Sequence, residues 1–137
     1  MNNLVEQIYL RNYGSETFYK RSYCENLNYT EGLIDFQKTL NAFWVVDEVI
    51  RFLPKVIKTY NETEDGFYVI TINIQKNNKA VFEIFREGYQ NGKYDEHITV
   101  LKTKIPEADL PYYNYRFYLI LSNLKPLIFT LMLTSEY

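Results

Sequence analysis

One cysteine, one histidine, one tryptophan, four prolines and five glycines in 137 residues leave little material for several kinds of chemistry. Cys24, alone, forms no internal disulfide and no cysteine metal cage, and it fits a reducing compartment. His97, also alone, excludes a histidine-rich metal site. The run Asp95-Glu96-His97 is a poor chelator, because successive strand residues point to opposite faces. The scattered glycines build neither a P-loop nor a dinucleotide fingerprint. None of Ser15, Ser22, Ser122 or Ser135 sits in a nucleophile elbow. Asp47 and Glu48 are neighbours on a helix, about 100° apart, and do not converge as an acid/base pair. Glu62, Glu64 and Asp65 lack the ligand periodicity of a calcium loop. No apolar run approaches the ~20 residues that span a bilayer. Met1 to Tyr13 carries no secretory pattern. The expectation is a cytoplasmic chain outside the membrane, without metal, cofactor or enzymatic activity.

Charge is nearly balanced, at −2. The first 65 residues carry 7 basic and 10 acidic groups and the rest 8 and 7, so neither half is polarised toward phosphate. What is abundant is aromatic: 14 tyrosines and 9 phenylalanines. A buried phenol needs a hydrogen-bond partner, and tyrosine is favoured at protein interfaces. The excess reads first as a compositional bias with amphipathic strand edges, and an aromatic interaction surface is the alternative.

Length and composition suit one domain, 1–137, divided into a helical half, 1–60, and a sheet half, 66–137. Asn3 to Arg11 reads as a short helix carrying Leu4, Val5 and Ile8 together. Ser15 is a candidate N-cap for a turn through Glu16 and Phe18, and Tyr23 to Asn28 reads as a polar connector. Thr30 caps the next helix, with Glu31 in its first turn and Leu33, Phe36, Gln37 and Leu40 at helical spacing. The strongest helical pattern follows in Phe43, Val46, Val49, Ile50 and Leu53, and Pro54 is expected to end or kink it. Trp44 lies one step off this stripe, where it covers the helix–sheet seam or, if exposed, anchors an interface.

The period then falls to two. Tyr68, Ile70, Ile72 and Ile74 alternate along a strand. Lys76 to Lys79 reads as a hairpin turn built on asparagines. Strands follow over Ala80–Arg86, His97–Lys104, Tyr115–Leu121 and Leu127–Leu133. Gly88–Gly92 and Pro106–Asn114 read as loops, and a turn begins at Ser122 and closes at Pro126. Helices before strands, with short links between the strands, predict an α+β fold. Its expected form is N-terminal helices packed on one face of a roughly five-stranded antiparallel meander.

Two basic groups offer themselves for nucleic acid. In Phe18-Tyr19-Lys20-Arg21-Ser22-Tyr23, rings that could stack bases alternate with cations that could hold phosphates. Lys76, Lys79 and Lys93 form the second group. With Trp44, these residues (Phe18, Tyr19, Lys20, Arg21, Tyr23, Lys76 and Lys79) are the candidate binding set. The apolar last strand, read as a sheet edge, adds the expectation of a homodimer.

Four motifs in order carry a resemblance: Gly14-Ser15-Glu16 with Phe18-Tyr19, Tyr29-Thr30-Glu31-Gly32, Ala42-Phe43-Trp44-Val45-Val46-Asp47, and Ser135-Glu136-Tyr137. This order resembles an uncharacterised bacterial and phage family, one of the domains of unknown function. Thr134 stands where that family often has proline, and Leu110-Pro111 matches its Asp-Phe-Pro loosely. The resemblance implies no activity, cofactor or catalytic residue. Its mobile-element context implies a protein-binding module that inhibits a host defence complex, in the manner of an anti-CRISPR protein. An RNA- or DNA-binding accessory role is the alternative. Asp47 is expected to pair with Arg21 or Arg51, and Tyr137 to dock with its carboxylate paired to a basic side chain.

Overall fold

A computed structural model describes residues 3–14, 17–61 and 65–137. Ser15 and Glu16, read as a cap, and Glu62 and Glu64 of the acidic loop lie outside the described residues.

Three helices lie among the described residues: α1 (Asn3–Arg11), α2 (Glu31–Thr39) and α3 (Trp44–Thr59). The strands are β1 (Phe18–Tyr19), β2 (Leu27–Thr30), β3 (Phe67–Ile74), β4 (Ala80–Gln90), β5 (Lys93–Ile105), β6 (Asn114–Leu124) and β7 (Leu127–Leu133). They form one sheet in the order β1-β2-β7-β6-β3-β4-β5. Every neighbouring pair is antiparallel except β2 and β7, which run parallel.

The α+β class holds, but the five-stranded meander does not: the sheet has seven strands and is mixed. β1 and β2 lie in the segment read as a turn and a polar connector. They are two and four residues long, too short to display alternation. Their place is set by remote pairing, Leu27 opposite Phe129 and Tyr29 opposite Leu131. The order is also not sequential, because β6 inserts between β7 and β3. The β5–β6 connection crosses the β3–β4 hairpin, where the Ala108 N–H donates to the Asn78 carbonyl at 2.8 Å. Ala108 and Leu110 are buried there.

Other boundaries moved. α3 runs through Pro54 to Thr59, with the proline ring exposed. β4 and β5 extend through the glycine-rich loop and turn at Asn91-Gly92, both at positive φ (54° and 79°). Asn-Gly is the preferred pair for such a tight hairpin, so that signal stood in the sequence. β6 likewise continues past Ser122 to Leu124.

Helices and sheet enclose one apolar cluster. Val45, Val46, Val49, Leu53 and Val56 form the buried stripe of α3. Phe43, expected on that stripe, is exposed, and Val45 takes its place. Phe36 of α2 meets Tyr115 and Phe117 edge-on, with centroids 5.6 and 5.2 Å away. Along β3 and its neighbours, Ile70, Ile72, Phe82, Ile84 and Phe117 point into this cluster. Strand alternation sends Val69, Thr71, Glu83, Phe85, Arg116 and Tyr118 to the opposite face.

Candidate functional site

The segment singled out for binding is organised by Arg21. One Nη donates to the Tyr29 hydroxyl at 2.8 Å. The other donates to Gln37 Oε1 at 2.8 Å and to the Phe43 carbonyl at 3.2 Å. Nε lies 3.3 Å from Asp47 Oδ1. The guanidinium also rests over the Tyr29 ring, 5.2 Å from its centroid. One arginine thus ties the β1 segment to β2, α2 and α3. Its planar fork suits this, since a lysine cannot present donors in several fixed directions.

Asp47 pairs with Arg21, while Arg51 pairs with Glu48 at 3.5 Å. Asp47 Oδ1 also accepts the Tyr23 hydroxyl at 2.5 Å. That bond pushes the Tyr23 phenol above its ordinary pKa. Tyr19 pairs with Tyr29 across the β1–β2 ladder, and their rings stack at 6.2 Å. Tyr19, Tyr23 and Phe43 therefore surround the Arg21 hub, with exposures of 39 %, 67 % and 46 %. Phe18, 51 % exposed, stands on the other side of the two-residue strand. Lys20 is exposed beside them.

Trp44 opens α3 next to this group and is half-buried against the core. Phe43, which the helical pattern assigned to the interior, is the exposed ring. Its carbonyl accepts from Arg21, and Val45 and Val46 carry the buried stripe in the first turn of α3. Nothing local in the sequence announces this.

Lys76 and Lys79 are exposed on the β3–β4 hairpin. Strands β2, β7 and β6 separate β3 from β1. At strand spacing that is about 20 Å. The two basic groups proposed for nucleic acid do not share a surface.

A second arrangement escaped the sequence reading. His97, expected in a solvated strand start, is half-exposed but not unpartnered. Its Nε2 lies 2.7 Å from Glu83 Oε2, and the Thr99 hydroxyl donates to the same oxygen at 2.6 Å. The His97 ring stacks on Phe85 at 3.9 Å. Glu83 is buried, which by itself raises a carboxyl pKa. The bonds from Thr99 and His97 outweigh that effect and hold it below the ordinary value. Among the described residues, no three His, Cys, Asp or Glu side chains gather to hold a metal. Cys24 packs half-buried against the core.

The remaining motifs meet at the N-terminus of α2. Thr30 occupies the cap position without a cap bond of its own. Its hydroxyl instead donates to Glu136 Oε1 at 2.6 Å, and the Gly32 N–H donates to Glu136 Oε2 at 3.0 Å. The Ser135 hydroxyl donates to the Asn12 carbonyl at 2.5 Å. The Tyr137 ring packs edge-on against Phe67 and Tyr118, at 5.2 and 5.6 Å. Tyr137 stays 76 % exposed, and it is the Glu136 side chain, rather than a terminal carboxylate on a basic partner, whose bonds hold this segment.

Among the described residues, no helix is long and apolar enough to cross a membrane. A family model described as a family of unknown function, DUF6876, matches residues 4–137. No curated protein and no solved structure matches the chain.

Proposed function

The chain belongs to DUF6876, a family of unknown function, as its motif order implied, and we propose that it is a non-catalytic protein-binding module. The observation that carries this reading is the ring of exposed aromatics, Tyr19, Tyr23 and Phe43, around the internally bonded Arg21. Exposed rings on a rigid base offer large contact area at low entropic cost.

Nucleic acid is the weaker reading at this surface. Arg21 spends its donors on Tyr29, Gln37, Phe43 and Asp47, which leaves Lys20 as the exposed cation of the described part of that segment. Lys76 and Lys79 lie too far along the sheet to help. The narrower form of the proposal, a stoichiometric inhibitor of a bacterial defence complex, rests on the phage and mobile-element context of the resemblance.

The test is affinity capture from the native host, with the intact chain and a Tyr23→Ser/Phe43→Ser variant as baits, each treated with nuclease. One protein recovered stoichiometrically by the intact chain, and lost with the variant, supports the reading. Recovery of nucleic acid alone, or of a partner indifferent to both substitutions, overturns it.

A further inference from the structure

Strand β7, read as a sheet edge, lies inside the sheet between β2 and β6, so the homodimer expected from it has lost its premise. The surface left open is the sheet face away from the helices. A solvated sheet face ordinarily turns polar residues outward. Here Phe67, Val69 and Phe85 point outward instead, and they floor a cavity of about 230 Å³.

Opposite charges meet that floor from opposite sides. Arg116 reaches in from β6, its guanidinium 5.8 Å from the centroid of the Phe85 ring. Glu96 reaches in from β5. The strand order β6-β3-β4-β5 sets their backbones three strand spacings apart, about 14 Å. Both residues are exposed. Among the described residues, neither the Arg116 guanidinium nor the Glu96 carboxylate has a hydrogen bond or an ion pair. Arg86 and Glu87 also line the rim, but both have partners, for Glu87 the Tyr94 hydroxyl. The β4–β5 ladder is irregular between Arg86 and Gly88, and such a bulge re-aims side chains out of strict alternation. It lets the neighbours Arg86 and Glu87 share one cavity.

We propose that this cavity binds a small zwitterion, a free α-amino acid with an apolar side chain. The ligand carboxylate lies against Arg116, whose planar fork presents two parallel donors to such a group. The ligand ammonium lies against Glu96, and the apolar side chain covers Val69 and Phe85. The volume is below that of a drug-sized pocket and suits one molecule of this kind. A simple ion would leave the apolar floor bare, and an uncharged apolar molecule would leave both charges without a partner. The site is separate from the aromatic patch around Arg21, since β1 lies four strand spacings from β3.

The experiment is an NMR titration of the full chain with L-leucine and L-phenylalanine, each beside its amide and its N-acetyl derivative. At least one of the two amino acids shifts the signals of Val69, Phe85 and Arg116 saturably at millimolar concentration. Its amide lacks the carboxylate and its N-acetyl form lacks the ammonium, and each binds at least about tenfold more weakly. Arg116→Gln weakens the amino acid by a similar factor and leaves the affinity of the amide unchanged. Glu96→Gln weakens it likewise and leaves the affinity of the N-acetyl form unchanged. Both side chains are exposed and bond nothing within the chain, so the variants keep the wild-type Tm. No saturable shift with either amino acid, a blocked form that binds as well as the free one, or an affinity indifferent to either substitution overturns the proposal.

Discussion

The carboxylate of Glu136 caps helix α2 from 104 residues away, accepting the Gly32 N–H at 3.0 Å. It also takes the Thr30 hydroxyl and the Leu133 N–H, at 2.6 and 2.9 Å. A negative group at a helix N-terminus meets both free N–H groups and the positive end of the helix dipole. Gly32 leaves the room for it. A Cβ there would lie 2.2 Å from Glu136 Oε1.

Two substitutions probe the same contact from opposite sides. Gly32→Ala forces the carboxylate out, and Glu136→Ala removes it. Glu136→Ala is expected to cost about 2 kcal/mol, the scale of a lost cap with charge-assisted bonds, and Gly32→Ala about 1 kcal/mol, because a helical alanine in place of glycine offsets part of the loss. Combined in one chain, they should cost little more than one alone, because both break one interaction. Urea unfolding of the three variants checks this, and additive losses would refute it.

Arg21 is expected to matter for stability before it matters for any partner. Arg21→Ala strands the buried Gln37 acceptor and frees the β1 segment, at a cost of about 2–3 kcal/mol. Arg21→Lys keeps the charge but not the fork, and should recover less than half of the loss. Asp47, half-exposed, is the lesser partner, and Asp47→Asn should cost under ~1 kcal/mol. Denaturation midpoints rank the three.

Acid should expose the Asp35 site. Arg11 donates to both carboxylate oxygens at 2.6 Å, and Thr39 and Asn12 add bonds. The Arg11 bonds foremost hold the Asp35 carboxyl down at about 2, below its ordinary 3.8. A carboxyl lowered in the folded state stabilises the fold above its ordinary pKa. That contribution, about 1 kcal/mol after solvent screening, is lost as pH falls from about 4 to 2. Asp35→Asn should flatten that part of a Tm-against-pH curve. An unchanged acid limb would contradict the assignment.

His97 and Glu83 make a local test of the uncovered sheet face. His97→Ala leaves the buried Glu83 with Thr99 as its remaining bonded neighbour among those described here. The carboxyl pKa should then rise toward its ordinary value, and stability should fall by about 1 kcal/mol near neutral pH. Adding Glu83→Gln should recover part of the loss, since a neutral amide is cheaper to bury than a carboxylate. Thermal melts of the single and double variants decide it.

Periodicity in this chain was enough to find α1, most of the stripe of α3 and the alternation of β3, β6 and β7. Those signals are local, since three- and four-residue or two-residue spacing survives whatever the rest of the chain does. The Asn-Gly turn at 91–92 was equally local. The candidate binding segment was legible in composition, as aromatics beside cations, but its chemistry was not. Whether Arg21 faces solvent or Gln37 depends on where α2 and α3 lie.

The sequence by itself determined the class: helices, then strands, a core of known stripes, and membership in a family with a shared motif order. Only the tertiary structure decided that β1 and β2 join the sheet, that β5 rather than β7 is its long edge, and that Glu136 caps α2. Each of these joins residues far apart in the chain. Their energy comes from backbone pairing and charge-assisted bonds that exist only after the ends meet, so no window along the sequence contains them.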